Sequence, residues 1–266
     1  MRKLFTVITI LCFSNISYSQ NTAYQEKFEE LNKQEAVLVF KDNFYKNWEN
    51  NWFLDGKKGR ISSGDNKLEL YAGKEALKDE NHVVLWTKKE FEGDLKIEYD
   101  FTRLDNLENN FVNIIYIQAQ GSGEGQFDKD IYKWRKLREI PKMSMYFDNM
   151  DTYHISYSVS EDKKNGKEEY IRGRRYMPEQ KTGLKGTELT PEYLNTGLFK
   201  PSVKYHLTFI KIGKELYFNV NGDNQNRTFY FNAEKYPPIT KGRIGLRQMF
   251  TKASIYENFK VYSIKK

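Results

Sequence analysis

Cysteine is almost missing from this chain: the 266 residues hold one, Cys12, and it falls within the N-terminal apolar segment. A disulfide framework is therefore excluded. No apolar run approaches the roughly 20 residues that a membrane-spanning helix needs, so membrane insertion is not expected. A Gly-rich phosphate loop, a His/Cys metal cluster and a serine or cysteine nucleophile motif are also missing. Histidines number only three, His82, His154 and His206. The basic excess, 43 Lys+Arg against 36 Asp+Glu, is spread along the chain. A nucleic-acid binder would concentrate it in a stripe, so that partner is not expected. A mild positive field suits a polyanion such as a uronate or sulfated sugar.

The first residues bound the compartment. Met1-Arg2-Lys3 is a short basic start, Leu4 to Phe13 is apolar, and Ser17-Tyr18-Ser19 precedes Gln20. That layout predicts a secretory signal peptide over residues 1–19 and a secreted or periplasmic protein. Its removal leaves 247 residues, takes away Cys12, and lowers the net charge from +7 to +5 by the loss of Arg2 and Lys3. One domain over residues 20–266 is expected at that length, and it is expected to act as a monomer.

Short alternating or β-branched runs bounded by Gly, Asn and Asp recur throughout. They fall at residues 37–40, 67–71, 82–88, 95–103, 111–120, 142–147, 152–160, 168–177, 205–212, 215–221, 228–231, 242–249 and 253–264. Such a series predicts an all-β, antiparallel sandwich of two sheets. Gly213 marks a hairpin, and Asn221-Gly222 is expected to be a turn. Only residues 23–33, and a short excursion at 128–138, look helical.

The stretch from Lys204 to Gly222, followed by Gly242-Arg-Ile-Gly-Leu-Arg247 and the run from Ala253 to Tyr262, resembles the closing strands of concanavalin A-like jelly rolls. More narrowly, Trp52-Phe-Leu-Asp-Gly56, His82-Val-Val-Leu-Trp86, the run from Phe91 to Asp100, and Tyr153-His-Ile-Ser-Tyr157 resemble a bacterial jelly-roll family found in pectin- and ulvan-degradation loci. Within it the chain is most similar to ulvan oligosaccharide dehydratases of marine flavobacteria. The resemblance implies a carbon–oxygen lyase acting on uronic-acid-containing oligosaccharides, and it draws attention to His82 and His154, which lie inside matching motifs.

Strand alternation puts Tyr170, Arg172, Arg174 and Tyr176 on one face. Two guanidiniums flanked by two phenols can clamp a carboxylate or sulfate; the competing expectation is a solvated face with Arg–Glu pairs to Glu168 or Glu169. Tyr116 and Gln118 share a face of their run. Lys133 and Trp134 fall on a charged loop, where the lysine could bind an anion and the tryptophan either stack on sugar or cap the sandwich edge. Elimination from a uronate needs the charge developing beside its carboxylate to be neutralised, a base for the α-proton, and an acid for the departing oxygen. The expected assignments are Arg172 and Arg174 on the carboxylate, His82 or His154 as base, and Tyr176 or Tyr170 as acid. No cofactor is required by this chemistry. A structural calcium is possible at Asp148-Asn149 with Asp151, or at Asp223-Asn224. A retaining hydrolase would need paired carboxylates, and Glu98-Tyr-Asp100 lacks the glutamate that should follow. The rival to a lyase is a binding module or lectin that uses the same arginines without a tuned base and acid.

Overall fold

The computed structural model describes residues 22–265; the expected signal peptide, residues 1–19, lies outside them. Two antiparallel sheets face each other. Sheet one runs β14 (Gln225–Asn232), β13 (Glu215–Gly222), β12 (Lys204–Ile212), β7 (Leu95–Arg103), β16 (Ala253–Ile264), β4 (Lys67–Tyr71) and β3 (Arg60–Gly64), with β1 (Ala36–Asp42) beside the second half of β16. Sheet two runs β11 (Glu188–Leu194), β10 (Tyr170–Tyr176), β9 (Met150–Tyr157), β8 (Asn113–Gly121), β15 (Lys241–Met249), β5 (His82–Thr87) and β2 (Trp52–Asp55), with β6 (Phe91–Glu92) beside the start of β15. The all-β sandwich expected from the strand rhythm is the observed architecture.

Alternation decides which side chains meet between the sheets. On β9, Tyr153, Ile155 and Tyr157 enter the main core; on β12 and β13, Leu207, Phe209, Leu216 and Phe218 do so. Phe209 stacks on Phe218 at 4.2 Å between centroids, and each fully buried ring of this kind contributes about 1.5–3 kcal/mol. A helix over residues 22–32 (α1) covers the outer face of sheet one, where Phe28 and Leu31 pack on Ile210, Tyr217 and Ile264. A further apolar cluster lies on the other face of sheet two, roofed by the β8–β9 connection with its short helix α2 (Met143–Phe147).

Three local expectations are corrected. Residues 142–147 form α2, not a strand, because Tyr146 alone turns fully inward to meet sheet two while Lys142 and Ser144 face solvent. Within 128–138 only Arg135–Arg138 is helical, as a single 3-10 turn. The β13–β14 turn is Asp223-Asn224, both at positive φ (52° and 59°) as a two-residue hairpin loop requires. Gly222 remains in β13, where a Cβ would stand 2.7 Å from the Tyr205 ring.

Candidate functional site

Antiparallel register turns alternation into rows. Across sheet two, Phe53, Trp86, Gly245, Tyr116, His154, Arg174 and Glu188 stand opposite one another on consecutive strands. The neighbouring row is Asp55, Val84, Arg247, Ile114, Ser156 and Arg172. Both rows point away from the main core and toward the roof. Gly245 is what allows the first row to close up. A Cβ there would meet the Trp86 ring at 2.4 Å, so its absence lets Trp86 stack on Tyr116 at 5.3 Å. Tyr146 of α2 completes the stack, nearly parallel to Tyr116 at 5.8 Å.

His154 sits at the middle of the first row. Its Nδ1 is 2.5 Å from the Tyr176 hydroxyl and its Nε2 is 2.6 Å from Ser156 Oγ. Burial, reinforced by the charges of Arg174, Arg247 and Arg172, holds His154 well below the usual imidazole range. Burial pushes Tyr176 well above the usual phenol range. A neutral imidazole therefore faces a protonated phenol. With Tyr176 donating to Nδ1, the Nε2 proton is donated to Ser156. Such a pair can pass a proton in either direction without either member carrying a charge at rest.

Beside it, β10 presents Tyr170, Arg172, Arg174 and Tyr176 on the roofed face, as alternation indicates. The Arg172 guanidinium lies 4.2 Å from the Tyr170 ring centroid, and its Nε donates to Glu192 at 2.8 Å. Arg174 donates to Glu188 at 2.8 Å, to Thr187 Oγ1 at 3.0 Å and to the Leu184 carbonyl at 3.1 Å. The Arg–Glu pairing is thus made to the edge strand β11, not to Glu168 or Glu169. Tyr170 and Arg172 remain half-buried at the margin, whereas Tyr116, His154 and Tyr176 are buried beneath the roof. The face is therefore a covered one with an open margin at β10 and β11, not an open groove.

Deeper under the roof lies a polar layer. Asp55 Oδ2 accepts hydrogen bonds from Arg138 Nε at 2.6 Å, Trp86 Nε1 at 2.7 Å and the Tyr146 hydroxyl at 3.0 Å. Arg138 and Tyr146 belong to the roof, so this carboxylate ties roof to sheet. Next to it, Arg247 Nη2 donates to His82 Nδ1 and to the Pro141 carbonyl. Burial first, and then the Arg247 charge, lowers the His82 pKa to about 3. An arginine donating to Nδ1 leaves the proton of the neutral ring on Nε2.

Of the expected site residues, His82, Tyr116, His154, Tyr170, Arg172, Arg174 and Tyr176 share this face. Three others lie away from it. Gln118 is diverted by a bulge between Ile117 and Gln120 and has φ 55°; its amide bonds the Gly93 and Thr240 carbonyls instead. Trp134 is buried in the roof, donating to the Asp128 carbonyl at 2.9 Å and carrying Arg138 over its ring at 4.2 Å. It caps the sandwich and has no face free for sugar. Lys133 is paired with Asp128 at 2.8 Å on the exposed loop. His206 lies on sheet one, 2.7 Å from Asp100.

At each suggested calcium position one carboxylate is paired. Asp151 pairs with Arg175, and Asp223 with Lys200; among the described residues no three His, Cys, Asp or Glu side chains gather. Asp55, Arg138 and Tyr146 were not anticipated, and nothing in their spacing announces them. Arg247 had a signal, because alternation sets it opposite the core-facing Ile244 and Leu246 on its strand.

The two sheets and their roofed polar face define a lectin-like jelly roll. Residues 38–261 match the family described as a domain of unknown function, DUF1961, and the chain belongs to that family. The uncharacterized protein YesU of Bacillus subtilis (strain 168) is 24% identical over 212 residues, covering 79% of this chain and 88% of that one. Among solved structures, a Bacillus subtilis protein of unknown function with a galectin-like fold matches with TM-score 0.66 at 18% identity, covering 88% of this chain and 99% of that one. The legume lectin-like domain from Entamoeba histolytica matches with TM-score 0.55 at 10% identity, covering 87% of this chain and 100% of that one. At such identities the likeness establishes the fold.

Proposed function

We propose that this protein recognises an acidic saccharide at the margin of sheet two. The observation that carries the proposal is the row of Tyr170, Arg172 and Arg174, two guanidiniums beside an aromatic ring on a half-open edge. The glutamate partner of Arg172 is exchangeable. The Arg172 and Glu192 side chains are 29% and 37% exposed, and a pair so placed is worth up to about 1 kcal/mol. A uronate or sulfate bonding the guanidiniums can displace Glu192, while Tyr170 offers a face for a sugar ring. The lectin-like fold supports a saccharide as the ligand class. With residues 1–19 read as a signal peptide, the encounter takes place in the periplasm or outside the cell.

A finer reading is favoured by the His154–Tyr176 hydrogen bond. In it the protein is a carbon–oxygen lyase, a dehydratase acting on the non-reducing-end uronate of ulvan-type oligosaccharides, or a β-eliminating polysaccharide lyase. The proton α to the carboxylate leaves to a base, its electron pair forms the C=C bond, and the β C–O bond breaks as the departing oxygen takes up a proton. Tyr176 with His154 behind it supplies the proton traffic, and a guanidinium of this face neutralises the charge that develops on the carboxylate. The test is to incubate the mature protein with ulvan and pectin oligosaccharides, following binding by calorimetry and products by mass spectrometry. Loss of one water identifies a dehydratase; chain cleavage with a new unsaturated end identifies a lyase. Affinity at unchanged mass identifies a binding module. Absence of binding to every acidic oligosaccharide refutes the proposal.

A further inference from the structure

Asp55, Arg138 and Arg247 are 1%, 0% and 0% exposed. Asp55 is the counter-charge of Arg138. Arg247 has none: among the described residues it forms no ion pair, and its Nε and Nη1 find no acceptor in good hydrogen-bonding geometry, the neutral Tyr116 hydroxyl being close enough only for a weak bond. Its Nη2 is held by His82 and the Pro141 carbonyl, and none of these groups, nor the Tyr116 hydroxyl, carries negative charge. The buried layer therefore holds two guanidiniums against one carboxylate. An enclosed, uncompensated charge is costly unless an anion completes it. The Tyr146 ring, 4.5 Å from the guanidinium carbon, compensates in part. The hydroxyls of Tyr116 and Tyr176 and the ring of His154 all lie within reach of the Arg247 charge.

We propose that Arg247 is the receptor for the carboxylate of a uronate. Tyr146 covers Arg247 and packs on Tyr116, so the acid group enters as the roof lifts at Tyr146 and takes the Nε and Nη1 donors, beside the Tyr116 and Tyr176 hydroxyls. Arg172 and Arg174 hold the sulfate of a neighbouring sugar at the margin, a group that carboxyl reduction leaves in place. Arg247 and Arg172 stand on one row three strands apart, roughly 14 Å at the usual strand spacing. That span suits adjacent sugar units better than a single carboxylate, so the two arginine positions have different tasks. This inference rests on the acidic-saccharide proposal and sharpens it, since it says which group distinguishes an acidic sugar from its neutral counterpart.

The experiment compares uronate oligosaccharides from ulvan with the same oligosaccharides after carboxyl reduction, by calorimetry, on the wild type, Arg247→Met and the double variant Arg172→Gln/Arg174→Gln. Wild type is expected to prefer the acidic form by at least about tenfold, the scale of one charge-assisted hydrogen bond. Arg247→Met, with circular dichroism and melting confirming the fold, is expected to abolish that preference. The double variant is expected to weaken both forms while keeping the preference. A folded Arg247→Met that retains the full preference overturns the assignment and leaves the saccharide proposal standing. A wild type that binds neither form overturns the proposal beneath it. Should Arg247→Met not fold, the wild-type arginine Nε–Hε resonance of Arg247, assigned with Arg247→Lys, replaces it. That resonance is expected to move with the acidic oligosaccharide and not with the reduced one; a resonance unmoved by the acidic form overturns the assignment.

Discussion

Substituting Asp55→Ala probes how the roof is held. The three donors on Oδ2, from Arg138, Trp86 and Tyr146, converge at 2.6–3.0 Å on one oxygen in a layer closed to solvent. Removing the carboxylate strands the Arg138 charge and leaves the indole and phenol donors without acceptors. Breaking a buried pair from one side costs about 3–5 kcal/mol, and the stranded donors fall within that figure because they share the same acceptor. For a domain of this size each kcal/mol moves the melting temperature by about 2–4 °C, so a drop of about 6–20 °C is expected. Urea unfolding should show the midpoint falling at nearly constant slope. Limited proteolysis should cut first within residues 122–149. The paired change Asp55→Leu/Arg138→Leu removes both charges together and should recover much of the loss. If Asp55→Ala costs less than about 1 kcal/mol and the proteolysis pattern is unchanged, the latch does not exist as described.

Stability should decline in acid through the two roofed histidines. The folded His82 pKa, about 3, lies below its unfolded value near 6.5, and His154 is shifted the same way. Only the unfolded chain takes up these protons as pH falls, so their contribution is intact above about 6.5 and drains away toward 3. At about 1.4 kcal/mol per unit, His82 alone can account for as much as ~5 kcal/mol; unfolding curves for His82→Gln should be flatter over that interval, and an unaltered slope would contradict the assignment. Gly245→Ala should push the Trp86 ring off Tyr116 and cost about 1–3 kcal/mol, read as a lower melting temperature with altered tryptophan fluorescence; an unperturbed spectrum would speak against the close contact at 2.4 Å. Glu192→Gln removes the carboxylate that competes for Arg172. Affinity for acidic oligosaccharides should rise by up to about fivefold, and calorimetry showing weaker binding would argue against displacement of that glutamate.

The sandwich was legible because side-chain period 2 is written directly into runs such as Tyr153 to Tyr157. The face shared by Tyr170, Arg172, Arg174 and Tyr176 was legible for the same reason. Helix α1 was visible at residues 22–32 within a residue or so. What alternation does not encode is a bulge: Gln118 sits two residues from Tyr116 yet leaves its face, since the positive φ resets the parity. Residues 142–147 misled because a short run with Met, Tyr and Phe packs as readily on a helix as on a strand. Asp55 and Arg138 are 83 residues apart in sequence, and only the folded register brings them together. Whether His82 or His154 meets Tyr176 was equally beyond strand parity, for both lie on the correct face; the β9–β10 register gives that neighbour to His154.

Sheet two is clad on both sides, by the main core beneath and the roof above, so that every residue of β5 is buried. It is an interior layer, packed on both of its faces. Amide exchange along β5, β8 and β15 should accordingly be the slowest in the chain. Such a floor has little freedom to drift or adapt, since any change in it is felt by two packed interfaces at once. Diversity among relatives, and adjustment to a ligand within one molecule, then falls to the loops above: a fixed bed with interchangeable covers.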